Sequence, residues 1–376
     1  MKRKNIWIHT GYDGSAPNSE EGIKQIKENV FVIFPSWKKE KGIGQEAKGK
    51  GFRLGFEVIN ETNQTQEVIL NIDWEDEERT KMKLRDFVFI KGEKDTEWQL
   101  IPAFIQGSIS IVKLNLPVGR TLVYLNPKYN YSDNEKFVEK VSKNKLVEKE
   151  KAGESEEKRN IWLLKIGEGK TKVLIMARNH AYESAGNYCV EGMVEWLLSE
   201  DSLSKYFLTN FVFYFLPMTN PDGVYNGLNR LTSLQGADLN RVITKPDKAH
   251  WTIKKTLDEI QPHLFINIHN WMDKFKDGLL CRRGKFARKI KFYMPDQIEY
   301  GKKWYIEDEE VIFQKRDISI CPNPEKSWKN YCEENFGSIG LVFEFPWFGR
   351  NTKIMKETGV KALKACLFAW MELMNQ

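Results

Sequence analysis

The stretch Leu174-Ile-Met-Ala-Arg-Asn-His-Ala-Tyr-Glu-Ser-Ala-Gly186 decides how this chain is read. An apolar, strand-like run stops at His180, and Glu183 follows three residues later, just before a helical pattern opened by Ser184. A histidine that only packs in a core needs no such carboxylate. If the run is a central strand, both side chains sit just past its carboxyl end, where open α/β sheets present their binding crevices.

Working outward, the same kind of strand recurs. "RNIWLLKIG", "FVFYFLPM" and "HLFINIH" are near-continuous apolar runs, the signature of strands buried on both faces. Between and after them come helical patterns: "SDNEKFVEKVSKN" with Ser132 as its cap, "SAGNYCVEGMVEWLLSED", and the closing "TKIMKETGVKALKACLFAWMELM". This alternation predicts an α/β domain over residues 126–376, with a mixed, mostly buried sheet. The charged "LVEKEKAGESEEKRN" reads as a solvated hairpin.

Upstream the pattern changes. From about Asn29 to Leu125 the chain runs in short alternating or aromatic-rich pieces such as "FRLGFEVIN", "QEVILNIDW" and "SISIVKLNL", parted by polar turns. About seven strands with no helix among them predict an antiparallel β-sandwich over residues 1–125.

Composition bounds the function class. The chain has 376 residues, enough for two domains. Its net charge of +6, from 58 basic and 52 acidic residues, is a thin and dispersed surplus that does not call for nucleic acid. No segment approaches the roughly 20 apolar residues that span a bilayer, and the basic start lacks a signal-type apolar run, so a soluble, cytoplasmic protein is expected. Five cysteines without paired metal-type spacing read as free thiols. Oligomeric state is not legible.

Catalytic zinc sites take three protein ligands from His, Asp or Glu and keep one position open. His180 and Glu183 supply two, and His269 closes another apolar strand of the same sheet. The chain has only five histidines, so this placement carries weight; His9, His250 and His263 read as structural or solvated. Between the two histidines, "FYFLPMTNPDGVYNGLNRLTSLQGADLNR" (213–241) ends a strand at Pro217, turns on "NPDG", and presents Arg230, Asp238, Asn240 and Arg241.

At these residues the sequence resembles the zinc carboxypeptidases of the M14 metallopeptidase family, in its cytosolic carboxypeptidase-like branch, which joins an N-terminal β-sandwich to a carboxypeptidase domain. The matches are "ARNHAYES", "PMTNPDGVYNG", "GADLNR", "INIH" and "FEFPW", in order. The resemblance implies one zinc ion per chain held by His180, Glu183 and His269, and Glu344 as general base toward the attacking water. It implies Arg230 as the oxyanion partner, Asn240 and Arg241 as the clamp on a substrate's terminal carboxylate, and Asp238 behind His180. Tyr331 stands as a candidate for the tyrosine that covers bound substrate, closer to Glu344 than the family spacing. The implied activity is hydrolysis of the C-terminal peptide or isopeptide bond of peptides or protein tails. "GLNR" departs from the branch's Gly-Asn-Tyr-Arg, which bears on the register of Arg230. Lys326, Lys329, Arg282, Arg283 and Arg350 lie in segments that could line a side-chain pocket and favour acidic C-terminal residues. Three alternatives stay open: a zinc amidohydrolase of the aspartoacylase or succinylglutamate-desuccinylase type, a murein-peptide hydrolase, and a binding protein with a vestigial site.

Overall fold

Ten short strands come first: β1 (Ile6–His9), β2 (Ile23–Lys27), β3 (Val30–Ile33), β4 (Gly55–Asn60), β5 (Gln66–Asp73), β6 (Phe87–Gly92), β7 (Gln99–Pro102), β8 (Phe104–Gln106), β9 (Ile109–Leu116) and β10 (Gly119–Tyr124). They form two five-stranded sheets, ordered β1-β4-β10-β6-β7 and β2-β3-β5-β9-β8. The computed structural model describes residues 5–35, 40–42, 53–75, 83–241, 246–270, 275–294, 298–300 and 327–374. Alternation along the strands builds the core of this layer. Val68, Leu70 and Ile72 of β5 pair with Leu114, Val112 and Ser110 of β9, and all six are buried. Phe56, Val58 and Val123 from the other sheet join the same cluster.

Two features differ from the sequence expectation. Strands β1 and β2 precede Asn29; β2, "IKQIK", is exposed over most of its length and has no apolar alternation to announce it. The sandwich is also not purely antiparallel, because β3 pairs with β5 in parallel. The reason is topological: the intervening β4 lies in the other sheet, so the chain returns to its first sheet in the same direction.

Helix α1 (Tyr131–Val141) then leads into the second layer system. Its cap is Asn130 rather than Ser132. The Asn130 amide donates to Asp133 at 2.9 Å, and the carboxylate of Asp13 accepts from the amides of Tyr131 (3.2 Å) and Ser132 (2.7 Å). These bonds satisfy first-turn donors two residues earlier than the pattern suggested.

The remaining strands, β11 (Val147–Glu154), β12 (Asn160–Ile166), β13 (Thr171–Ala177), β14 (Phe211–Leu216), β15 (Leu264–His269), β16 (Asp277–Cys281), β17 (Ile298–Tyr300) and β18 (Ile339–Glu344), form one eight-stranded sheet in the order β11-β12-β14-β13-β15-β18-β16-β17. β14, β13, β15 and β18 are mutually parallel, whereas β12 and β16 run the other way. Helices α2 (Ala185–Leu197), α3 (Ser202–Asn210), α4 (Pro221–Tyr225), α5 (Lys248–Ile260), α6 (Gly284–Tyr293), α7 (Trp328–Phe336) and α8 (Thr352–Met374) complete it. Alternate residues of β13 serve opposite layers. Val173, Ile175 and Ala177 pack with α2 and α8, and Leu174 and Met176 pack with Ile253, Leu257 and Trp328 of α5 and α7. The sandwich shares the first of these cores, with the Phe87 ring 5.2 Å from Phe348 and Phe89 6.1 Å from Trp347. Four parallel strands therefore deliver their carboxyl ends to one edge.

Candidate metal centre

β13 hands over to Arg178, which adopts φ 63°. A non-glycine residue there carries strain of about 1–3 kcal/mol. Its own side chain braces the bend: Nε donates to the Ala181 carbonyl at 3.0 Å, Nη1 to Asn187 at 3.0 Å, and Nη2 to the Tyr129 carbonyl at 2.9 Å. Burial pulls this guanidinium down to about 9, still charged at neutral pH. The bend folds residues 179–183 back over the strand end.

There His180 and Glu183 meet His269, the last residue of β15. Glu183 engages one imidazole with each oxygen: Oε1 lies 2.8 Å from His180 Nδ1 and Oε2 lies 2.7 Å from His269 Nδ1. The three residues are 3%, 2% and 1% exposed, and one ligand atom from each lies within 4.8 Å of the others. His269 Nε2 is buried with no hydrogen-bond partner among the described residues. Two imidazoles and a carboxylate are a donor set suited to zinc with a position left over. By the chemistry of that donor set and its convergence on one point, the residues fit a metal ion.

Electrostatics sharpen the picture. Burial works against a charged His180, yet Glu183 and Asp238 more than offset it and raise the ring to about 9. Burial wins at His269, whose pKa is lowered. Glu183 and Asp238 are both pushed up by burial, but the imidazoles, and for Asp238 also Arg241 and Arg230, hold them well below the usual carboxylate range.

Asp238 lies beside His180, with Oδ1 3.1 Å from Nε2. The same oxygen accepts the Asn240 amide at 2.7 Å. Asn240 Oδ1 accepts from Asn267 of β15 at 3.1 Å, and Arg241 Nη1 donates to the Asn240 carbonyl at 2.9 Å. Arg230 Nε stands 4.0 Å from Asp238 Oδ2. The loop is pinned from inside by Asn220, which caps α4 by accepting from Gly223 and donates to the carbonyls of Asn179 (3.1 Å) and Leu231 (3.2 Å). A Cβ at Gly223 would lie 2.5 Å from the Leu231 carbonyl, so this packing requires glycine.

Glu344 ends β18 directly opposite His269 in the parallel ladder, and in-register neighbours project to the same side. Tyr182 is a residue the sequence reading missed. Its ring is stacked on His180 (centroids 6.0 Å, interplanar angle 9°). Burial first, then the Glu183 and Glu344 carboxylates, push its phenol well above 10, which puts it among the charges of this site. It stands inside the His-x-x-Glu spacing, where a ligand pattern treats the middle positions as spacers.

Other expectations require correction. Tyr331 is not brought to the cluster: its hydroxyl donates to Asp258 of α5 at 2.6 Å, toward the opposite end of the sheet. Arg282 and Lys329 do not line a pocket beside Glu344. Because β16 runs antiparallel to β18, its end lies away from the site, and both cations pair with Glu333 (3.2 and 2.9 Å). Arg350 is paired with Asp277 at 2.6 Å, Arg283 is exposed, and Lys326 lies outside the described residues. Cys189, Cys281, Cys332 and Cys366 are free and buried; Cys321 lies outside the described residues. His9, His250 and His263 are engaged by Glu57, Asp247 and the Lys172 amide.

Comparisons with known proteins agree with this geometry. Residues 135–271 match the family model "Zinc carboxypeptidase" of M14 peptidases. Mouse cytosolic carboxypeptidase 4 is 47% identical over 77 residues, 20% of this chain and 7% of that protein. Mouse cytosolic carboxypeptidase 6 is 26% identical over 278 residues, 65% of this chain and 48% of that protein. The match thus spans about half, or far less, of the curated relatives' length. The fold extends further: a metallo-carboxypeptidase from Burkholderia cenocepacia superposes with TM-score 0.79 at 17% identity, covering 97% of this chain and 98% of the other. A metallo-carboxypeptidase from Pseudomonas aeruginosa, solved with (2-guanidinoethylmercapto)succinic acid, gives 0.75 at 15% identity over 97% and 98%. No helix among the described residues is long and apolar enough to cross a membrane. With the motifs in order and the matched domain, residues 135–271 are similar to the M14 zinc carboxypeptidases, stretches of the chain are similar to cytosolic carboxypeptidases, and the chain as a whole shares its fold with bacterial metallo-carboxypeptidases.

Proposed function

We propose that the protein is a zinc carboxypeptidase that removes C-terminal residues from peptides or protein tails in the cytoplasm, with one zinc ion per chain at His180, Glu183 and His269. The observation that carries this reading is the convergence of those three side chains at a strand end, with Glu344 in register beside His269. A bound zinc ion supplies Lewis acidity toward water and toward a carbonyl.

The rest is done by the chain's own groups. Glu344 accepts the proton of the attacking water as the new C–O bond forms, and returns it to the leaving amine as the C–N bond breaks. Arg230 places positive charge where the carbonyl oxygen becomes negative. Arg241 and Asn240 hold the substrate's free carboxylate, a task for which a planar guanidinium offers two parallel donors. Asp238 fixes the orientation of His180, and its hold on the Asn240 amide links the clamp to the metal ligands.

Metal content and cleavage of C-terminally varied peptides, measured on one preparation, test this. Wild type should hold near-stoichiometric zinc and cleave. His269→Ala should lose both properties, whereas Glu344→Gln should keep zinc and lose about 10²–10⁴-fold in kcat. Full zinc with no peptide cleaved, but N-acyl amino acids hydrolysed, would refute the reading.

A further inference from the structure

Two charged residues in the connection between β3 and β4 of the sandwich reach into the site. Glu40 is 4% exposed, and both its oxygens are spent on the loop that carries Arg230. Oε1 accepts from the Asn229 amide at 2.5 Å and from Asn229 Nδ2 at 2.8 Å. Oε2 accepts from the amides of Arg230 at 3.0 Å and Leu231 at 2.8 Å. Three consecutive loop amides thus end on one carboxylate, which leaves that stretch of backbone little freedom.

Arg53, 6% exposed, serves the other half of the site. Nη1 donates to the carbonyl of Ala181, the residue after His180, and Nη2 donates to the carbonyls of Gly14 (3.0 Å) and Val224 (2.9 Å). Ala181 also receives Arg178, so one carbonyl in the metal loop is gripped by two guanidinium groups. Asn229 joins the two devices, its Oδ1 accepting the Arg53 amide at 3.0 Å while its Nδ2 donates to Glu40. A continuous path, Glu40–Asn229–Arg53–Ala181, runs from the Arg230 loop to the metal ligands. Charges this deeply buried are costly unless paired and hydrogen-bonded. Here every bond described for Glu40 goes to the Arg230 loop.

We propose that Glu40 and Arg53 are positioning residues of the active site: Glu40 sets the backbone from which Arg230 reaches the reacting carbonyl, and Arg53 sets the turn that aims His180 and Glu183 at one point. The Glu40 half rests on the carboxypeptidase reading of Arg230; the Arg53 half rests only on metal binding.

The full chain serves for the test. Glu40→Gln keeps the shape but turns an amide donor toward loop N–H groups. It should lower kcat about 10–100-fold, with KM and zinc affinity each changed less than about threefold. In an Arg230→Ala background the same substitution should cost less than about threefold, since the group it positions is gone. Arg53→Met should weaken zinc binding about 10–100-fold in competition with a chromogenic chelator, and Arg53→Lys should recover part of that loss. If Arg53→Met does not fold, Arg53→Lys against wild type decides the zinc measurement. Equal kcat losses from Glu40→Gln with and without Arg230 would overturn the first half, and wild-type zinc affinity in the Arg53 variant would overturn the second. A wild type that binds zinc but cleaves no peptide removes the role given to Arg230, and the Glu40 half with it; the zinc titration still decides Arg53 independently.

Discussion

The two ends of the eight-stranded sheet use charge in opposite ways. At the end away from the proposed metal, charges are settled in opposite-sign pairs: Lys329 and Arg282 share Glu333, and Asp258 takes Lys254 from its own helix and the Tyr331 hydroxyl from α7. At the other end His180, Glu183, Asp238 and His269 come from three separate segments and meet around one carboxylate. Charge matched with its opposite serves the fold. Charge gathered at one point, with a single buried carboxylate shared between two imidazoles, is arranged for something that has to bind.

That contrast can be broken by exchanging the effects. Glu333→Gln, at the settled end, should strand the largely buried Lys329 and cost about 3 kcal/mol of stability, while kcat/KM stays within about twofold; a comparable loss of activity would erase the distinction. Asp238→Asn, at the gathered end, should do the reverse. Zinc affinity should fall about 10–100-fold as His180 loses its orienting partner, with a smaller change in thermal unfolding of the metal-free protein. The smallest effect sharpens the comparison within one helix, α5, which starts at the site end with Asp247. That carboxylate is pushed up by burial, but His250 and Thr232 more than offset this and hold it below its ordinary value. A depressed carboxylate contributes stability that is present above its unfolded pKa of about 3.9 and lost as pH falls through the folded one. Acid unfolding followed below about pH 4 should therefore be less steep in Asp247→Asn than in wild type, and an unchanged slope would remove Asp247 from that account.

Much of the gathered end could be read from the chain. Continuous apolar runs stopping at Ala177 and His269 locate two strand ends, and parallel packing brings such ends together, so the meeting of His180, Glu183 and His269 follows from position in the pattern. Glu344 was visible as a carboxylate closing an apolar strand. Glu40 and Arg53 were not. Glu40 sits in "KKEKGIGQEAKGKG", a stretch whose density of lysine and glycine looks like a solvated loop, Arg53 stands at the head of the strand-like "FRLGFEVIN", and their partners lie 189 and 128 residues away. Tyr331 and the basic side chains misled for a related reason. Nearness in sequence to a strand does not say at which of its ends a residue emerges: Tyr331 and Lys329 lie on α7, which leads into the start of β18, and Arg282 follows the end of β16, which runs antiparallel to β18. Tyr182 was hidden between two candidate ligands in a spacing pattern that assigns the intervening residues no role.

The in-register pairing of His269 with Glu344 also acts as a ruler. An inserted residue within β18 would turn the carboxylate to the other face of the sheet, and a two-residue slip would keep the face but carry it about 6.6 Å along the strand. Neither error could be repaired by a side-chain rotation. Insertions and deletions in this pair of strands should therefore abolish activity whatever residues they add, so a deep insertion scan should show a silent gap across residues 264–269 and 339–344.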